Sequence, residues 1–129
     1  MPIKVAILGS TGSIGSSTIE IIKKNRKNFK VVLLSTNNNV SKILKQAKDL
    51  KVKKIIINNK LKYLKFKNKF KNKKIKVYEK DTKLNKIIKK KIDYTMCAIT
   101  GLAGLKSTLD SIKFSKKIAI ANKESLICG

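Results

Sequence analysis

Apolar positions along this chain fall into short unbroken runs, separated by stretches with helical spacing. Ile3–Leu8 is one such run and reads as a buried first strand. Residues 14–25 then place Ile14, Thr18, Ile21 and Ile22 at helical intervals, and 29–35, rich in Val and Leu, read as a second strand. Val40, Ile43, Leu44, Ala47 and Leu50 form one face of a second helix that turns Lys42, Lys45 and Lys48 to solvent. Lys54–Ile57 gives a third strand, 75–78 a fourth, 94–99 a fifth with Cys97 in the core, and 117–121 a sixth. Leu84, Ile87, Ile88 and Ile92 predict a short helix before the fifth strand. Leu102, Leu105, Leu109 and Ile112 predict another after it. Strands alternating with helices through short connections predict an α/β fold: a Rossmann-like, doubly wound, mostly parallel sheet with helices on both faces. No repeat or linker divides the 129 residues, which suit one domain.

The pattern blurs over 58–74, where Leu61, Tyr63, Leu64, Phe66 and Phe70 sit among lysines without a clean stripe. Aromatics interleaved with lysines could stack nucleic-acid bases. The preferred reading is an amphipathic helix whose rings pack down while its lysines snorkel to water.

Composition adds a net charge of +25, which invites a nucleic-acid partner. The basic residues weaken that reading, because only Arg26 among the 32 is arginine. Lys, Ile and Asn are all in excess and share A/T-rich codons, so base bias accounts for the lysines without a ligand. Specific phosphate and base recognition favours the bidentate arginine fork. No stretch approaches the roughly 18–20 apolar residues of a membrane span, and a first strand from residue 3 leaves no room for a leader peptide. Two cysteines, Cys97 and Cys128, suggest neither a disulfide framework nor a metal site, so a reducing cytoplasm is the expected compartment. The chain has no histidine, which excludes His-based triads and His metal ligands within these residues.

Chemistry concentrates at the ends of the predicted strands, where open parallel sheets bind ligands. After the first strand comes Gly9-Ser10-Thr11-Gly12-Ser13-Ile14-Gly15. Gly9 suits a tight turn, Gly12 lets backbone approach a phosphate, and Gly15 lets the following helix pack close to the sheet. The helix start adds free N–H groups and a positive dipole end. The competing reading is an unliganded Gly/Ser turn, since the spacing is G-x-x-G-x-x-G. After the second strand, Asn37, Asn38 and Asn39 stand where an NAD-binding protein would carry an acid. Amides there would not repel a 2′-phosphate, which points to NADP over NAD; an Asn-rich turn with no ligand is the alternative. After the sixth strand, Asn122, Lys123 and Glu124 place an amide, a cation and a carboxylate in succession, as a functional trio or as a cap with surface charges.

Three segments together carry a resemblance. Gly9 to Gly15 as quoted, Ala98-Ile99-Thr100-Gly101-Leu102-Ala103-Gly104-Leu105 and Ile120-Ala121-Asn122-Lys123-Glu124-Ser125-Leu126, in this order and spacing, resemble the 1-deoxy-D-xylulose-5-phosphate reductoisomerases of the non-mevalonate isoprenoid route. The likeness runs over the whole chain and is to that family's N-terminal NADPH-binding region. It implies that Thr11, Gly12, Ser13 and Ile14 hold the cofactor phosphates and that Asn37, Asn38 and Asn39 form the adenosine-ribose loop. That loop often reads Gly-basic-Asn in the family, so Asn37 and Asn38 depart from it and Asn39 matches, with Lys42 a nearby cation that could substitute. The resemblance further implies that Asn122 and Glu124 line the nicotinamide side and that Lys123 reaches a sugar-phosphate substrate. A divalent metal (Mg²⁺ or Mn²⁺) would be held by residues outside this chain. It assigns no catalytic residue here and implies a homodimer in the complete enzyme, with neither nucleic acid nor membrane as a partner. Gly129 falls about one turn past the last predicted strand, so more protein is expected to follow. The rival is a stand-alone basic nucleotide- or RNA-binding module using the lysine surface.

Overall fold

The computed structural model of the chain describes residues 2–70, 74–99, 111 and 114–120. Six strands, β1 (Ile3–Leu8), β2 (Phe29–Thr36), β3 (Lys54–Ile57), β4 (Lys76–Glu79), β5 (Ile92–Cys97) and β6 (Ser115–Ile120), form one parallel sheet in the order β4-β3-β2-β1-β5-β6. The chain winds outward from β1 to the β4 edge, then crosses back to lay β5 on the free side of β1. The carboxyl end of β1 is therefore a topological switch point.

Helices α1 (Ser13–Lys24), α2 (Val40–Leu50) and α3 (Lys60–Phe66) connect the first four strands, and the four-residue α4 (Leu84–Ile87) precedes β5. Val5 and Ile7 of β1 and Ile55 and Ile57 of β3 share one buried cluster with Ile19, Ile22, Ile43 and Ala47. Ala6, Leu8 and Ile56, which alternate with them, join Leu33, Ile87, Ile88 and Cys97 in a second cluster. Both faces of the sheet are covered, which is why these strands read as continuous apolar runs rather than alternating ones. The β1–β2 register jumps from Val5↔Val31 to Ala6↔Leu33, skipping Val32 as a bulge does.

Several expectations shift. In α1 the buried positions are Gly15, Ile19 and Ile22, while Ile14 and Ile21 are exposed. Ile19 and Ile22 of this stripe at i, i+4 and i+7 pack into the core, while Gly15 is buried against the turn that precedes the helix. The helix predicted through Ile92 ends at Ile87; Ile88 and Ile92 remain buried, but Ile92 opens β5, which therefore starts two residues early. Both belong to one buried cluster, which makes them apolar whichever secondary structure carries them. In the blurred stretch the packed helix is correct over Lys60–Phe66. Tyr63 and Phe66 lean on the core, Phe70 is buried, and Lys65 and Lys69 lie 5.5 and 5.2 Å from the Phe66 ring centre. The helix predicted over Leu102 to Ile112 lies in part outside the described residues.

Charged side chains tie elements together at the periphery. Lys23 of α1 donates to Asp49 of α2 at 3.0 Å, and Arg26 donates to the Asp49 carbonyl at 2.8 Å. At the amino ends of the strands, Asp93 accepts from the Lys4 backbone N–H at 2.9 Å and pairs with Lys116 at 3.4 Å, joining β5 to β1 and β6. The Lys4 N–H, helped by Lys116, holds the Asp93 carboxyl below its usual 3.8. The Lys23 hydrogen bond does the same for Asp49. A carboxylate with a lowered folded pKa contributes stability that is present above its unfolded value and is lost as pH falls through the folded one. We expect stability to fall as pH drops below about 4 and that fall to be shallower in Asp93→Asn. Urea melts of both proteins across that range measure it; identical slopes would show that Asp93 plays no part.

Candidate functional site

The site is built where β1, β2 and β5 end together. Gly9 leaves β1 at φ +81°, and a Cβ on it would lie 2.9 Å from the Ala98 carbonyl oxygen at the exit of β5. Both the backbone angle and the neighbouring strand end therefore demand glycine. A Cβ at Gly15 would lie 2.2 Å from the Gly9 oxygen and 2.7 Å from Ser10 Cα. Its close partner is thus the turn itself, not the sheet that the sequence suggested. Gly12 differs from both. Its φ is −75°, and a Cβ there would meet nothing nearer than the Gly9 oxygen at 3.7 Å. The fold does not need glycine at position 12; open space lies in front of it.

Gly12 is the N-cap residue of α1 and has no side chain with which to cap it, and among the described residues no other side chain takes that place. Gly12, Ser13 and Ile14 are exposed and Thr11 half-buried. The helix start is thus accessible, with N–H groups and the positive dipole end available to an anion. Beneath it the turn is anchored by buried polar groups. Gly9 N–H donates to Ser35 Oγ at 2.8 Å, and Ser10 N–H donates to the Ser35 carbonyl at 2.9 Å. Ser10 Oγ donates to Gln46 Oε1 at 2.8 Å, while Gln46 Nε2 donates to the Ser10 carbonyl at 2.9 Å. Sequence reasoning missed Ser10, Ser35 and Gln46. The available signal was Gln46, a polar residue three positions past Ile43 on the apolar face of its helix.

The second-strand loop stands beside the turn. Thr11 Oγ1 and Thr36 Oγ1 share a hydrogen bond at 2.6 Å, and Asn39 N–H donates to Thr36 Oγ1 at 3.2 Å. All three asparagines are exposed, but their roles diverge. Asn39 caps α2, its Oδ1 accepting from Lys42 N–H at 3.1 Å and from Ser41 Oγ at 3.2 Å. The Asn37 and Asn38 side chains make no hydrogen bond to the described residues. Lys42 reaches back from α2 and donates to the Thr11 carbonyl at 3.0 Å, placing an ammonium at the boundary of loop and turn. The structure thus brings together Thr11, Gly12, Ser13, Ile14, Asn37, Asn38 and Asn39, with Lys42, the cation the sequence placed near them. Asn122, Lys123 and Glu124, with residues 100–105 of the second motif, lie outside the described residues.

A large apolar groove of about 610 Å³ lies elsewhere, lined by Ile3, Val5, Ile21, Phe29, Tyr94 and Met96 among others. It opens near the amino ends of the strands, away from every residue just described.

Parallel order, switch-point turn and open helix start define a Rossmann-like α/β domain, the class that receives ligands beyond the carboxyl ends of its strands. The sequence matches the family 1-deoxy-D-xylulose 5-phosphate reductoisomerase over residues 5–129, and the chain belongs to that family. Among curated relatives, the 1-deoxy-D-xylulose 5-phosphate reductoisomerase of Pelagibacter ubique is 55% identical over 128 residues, covering 98% of this chain and 33% of its own length. That of Phocaeicola vulgatus is 37% identical over 96% of this chain and 33% of its own. Among solved structures, the Zymomonas mobilis enzyme in complex with NADPH superposes with a TM-score of 0.87 at 36% identity, over 98% of this chain and 34% of that one. A reductoisomerase in complex with NADPH, fosmidomycin and magnesium gives 0.85 at 34% identity, over 97% of this chain and 31% of that one. The chain spans about a third of the length of these relatives.

Proposed function

We propose that this chain is the NADPH-binding domain of a 1-deoxy-D-xylulose 5-phosphate reductoisomerase. The observation that carries the proposal is the uncapped, exposed start of α1 beside an acid-free loop with Lys42 at its edge. The Zymomonas mobilis relative, described with NADPH, has the same fold at 36% identity. The residues present fit the cofactor. Open space in front of Gly12 admits a pyrophosphate, with the N–H groups of Ser13 and Ile14 as its donors, the Gly12 N–H turned to the Gly9 carbonyl at 3.4 Å, and Thr11 at its edge. Asn37, Asn38 and Asn39 offer amides to the adenosine ribose and its 2′-phosphate, Asn39 from a side chain already committed to its cap, and Lys42 adds the cation. Asn122 and Glu124 line the nicotinamide side, and Lys123 reaches the sugar-phosphate substrate.

The complete enzyme converts 1-deoxy-D-xylulose 5-phosphate to 2-C-methyl-D-erythritol 4-phosphate for isoprenoid synthesis. When bound, the cofactor supplies the hydride for the reductive half of that conversion. This chain's residues bind and orient it, so that one face of the nicotinamide meets the substrate. The divalent metal, Mg²⁺ or Mn²⁺, is held by carboxylates outside this chain. The whole protein acts as a cytoplasmic homodimer and uses neither nucleic acid nor membrane. Family membership favours the enzyme over a stand-alone basic module; among the described residues no helix is long and apolar enough to cross a membrane.

The test is a chimaera in which this chain replaces the corresponding third of the Pelagibacter ubique relative. We expect NADPH oxidation dependent on 1-deoxy-D-xylulose 5-phosphate and Mg²⁺. The chain alone should bind NADPH weakly and turn nothing over. A folded chimaera without turnover would overturn the proposal. So would RNA binding by the chain that outcompetes NADPH and collapses with salt.

A further inference from the structure

We propose that Gln46 is a positioning residue for the cofactor: its side-chain amide clamps the Ser10 carbonyl into the fold and so shapes the turn that presents N–H groups to the pyrophosphate. The inference rests on the reading of the site as an NADPH site. An anion site of backbone N–H groups works only if neighbouring carbonyl oxygens point elsewhere, because each carries the opposite partial charge. Here two successive carbonyls are drawn toward the same face of α2. Gln46 Nε2 donates to Ser10 O at 2.9 Å, and Lys42 Nζ donates to Thr11 O at 3.0 Å. Ser16 Oγ adds a long bond to Ser10 O at 3.4 Å.

Gln46 suits this task chemically. Ser10 presents an acceptor in its carbonyl and a donor in its hydroxyl, and a carboxamide offers the matching donor and acceptor side by side. The carbonyl can only accept, which fixes Nε2 toward it and leaves Oε1 for Ser10 Oγ, 2.8 Å away. Gln46 is 5% exposed and Ser10 fully buried, so water cannot replace either bond cheaply. Packing alone would favour Leu at this point on the apolar face, between Ile43 and Leu50. Asn39, Lys42 and Gln46 follow at intervals of three and four along α2, so one rigid helix face touches both the ribose loop and the phosphate turn.

The test compares wild type, Gln46→Leu and Gln46→Glu, with NADP⁺ as the probe and calorimetry at about pH 5 and pH 8. Gln46→Leu should bind about tenfold more weakly at both, the scale of one lost buried hydrogen bond. Gln46→Glu should approach wild type at the lower pH, where a buried carboxylic acid can still donate to Ser10 O. Ionised at the higher pH it cannot donate, and binding should weaken about tenfold or more. The charges nearby, Lys42 on α2 and the Lys23–Asp49 pair between α1 and α2, are common to all three proteins, so affinities are read as ratios to wild type at each pH. A purely structural role would lower melting temperature without this pH-dependent ratio. Ratios within twofold of unity at both pH values, for whichever variants fold, would overturn the proposal. NMR order parameters of the backbone N–H groups at 11–14, taken without cofactor, separate the two ideas. Unchanged values in both variants overturn the clamp. Lowered values, with no NADP⁺ binding by wild type, overturn the cofactor reading.

Discussion

Gly12→Val is expected to abolish dinucleotide binding in a chain that still folds, whereas Gly15→Ala, a smaller change three residues on, is expected to damage the fold itself. At position 12 the backbone suits any residue and a Cβ meets only ordinary contact. The cost to stability is the exchange of one N-cap residue for a poorer one, about 1 kcal/mol. Branched carbons would then fill the open space where phosphate oxygens must approach the N–H groups. At position 15 a single methyl would sit 2.2 Å from the Gly9 oxygen and 2.7 Å from Ser10 Cα, which are backbone atoms with no rotamer to retreat into. Relief requires moving the helix or the turn, at about 3 kcal/mol or more, which corresponds to a melting temperature lower by about 10 °C or more. Thermal melts and calorimetry on both variants decide the matter. NADPH affinity unchanged in Gly12→Val would remove the pyrophosphate from this turn, and an undisturbed melt in Gly15→Ala would contradict the close approach.

NADPH should bind this chain at least several-fold tighter than NADH, and Asn38→Asp should erode or reverse that preference. Asn38 is exposed, its side chain is unengaged among the described residues, and the next residue is tied up as the α2 cap. A carboxylate at 38 would repel a 2′-phosphate and accept from a bare ribose hydroxyl. The expected cost to NADPH is roughly 1–3 kcal/mol, the scale of a lost charge-assisted hydrogen bond. Lys42 separates two sources of the preference. Its ammonium already bonds the Thr11 carbonyl, so it contributes to a 2′-phosphate from a held position, and Lys42→Met should lower NADPH affinity more than NADH affinity. That share should shrink as salt rises, because the group is exposed and screened. Dissociation constants for both cofactors at low and high salt give the answer; a wild type indifferent to the 2′-phosphate would leave the asparagines as a turn.

The buried strands were legible because hydrophobic periodicity records burial directly. Ile3–Leu8 and Lys54–Ile57 stand as read, covered on both faces from Val5 and from Ile55 onward, though Ile3 is 43% exposed. Ile92 was read as helix and is strand, because a run of apolar residues states that it is buried without stating how it is coiled. Ile14 and Ile21 misled for the complementary reason: isoleucine is so common here that two of them sit on the exposed side of α1. At the site, the glycines announced a tight turn, yet their partners could not be read locally. Gly15 is required by Gly9 and Ser10, and Ser10 by Gln46, 36 residues away. The glycine turn could be located in the sequence, but not the residues that hold it in shape.

The short edge strand β4 bears on how this sheet stops growing. Parallel sheets assemble from contacts distant in sequence, so their edges stand exposed while the rest of the chain condenses. An apolar edge in that interval invites another chain to add a strand. β4 is four residues long, opens on Lys76 and closes on Glu79, and Lys76 Nζ lies 5.2 Å from the Tyr78 ring centre. β4 offers a docking strand only four residues of edge, and Lys76 and Glu79 put a charge at each end of it. A short edge closed by a charge at each end is one of the devices that keep a sheet from growing past its own last strand.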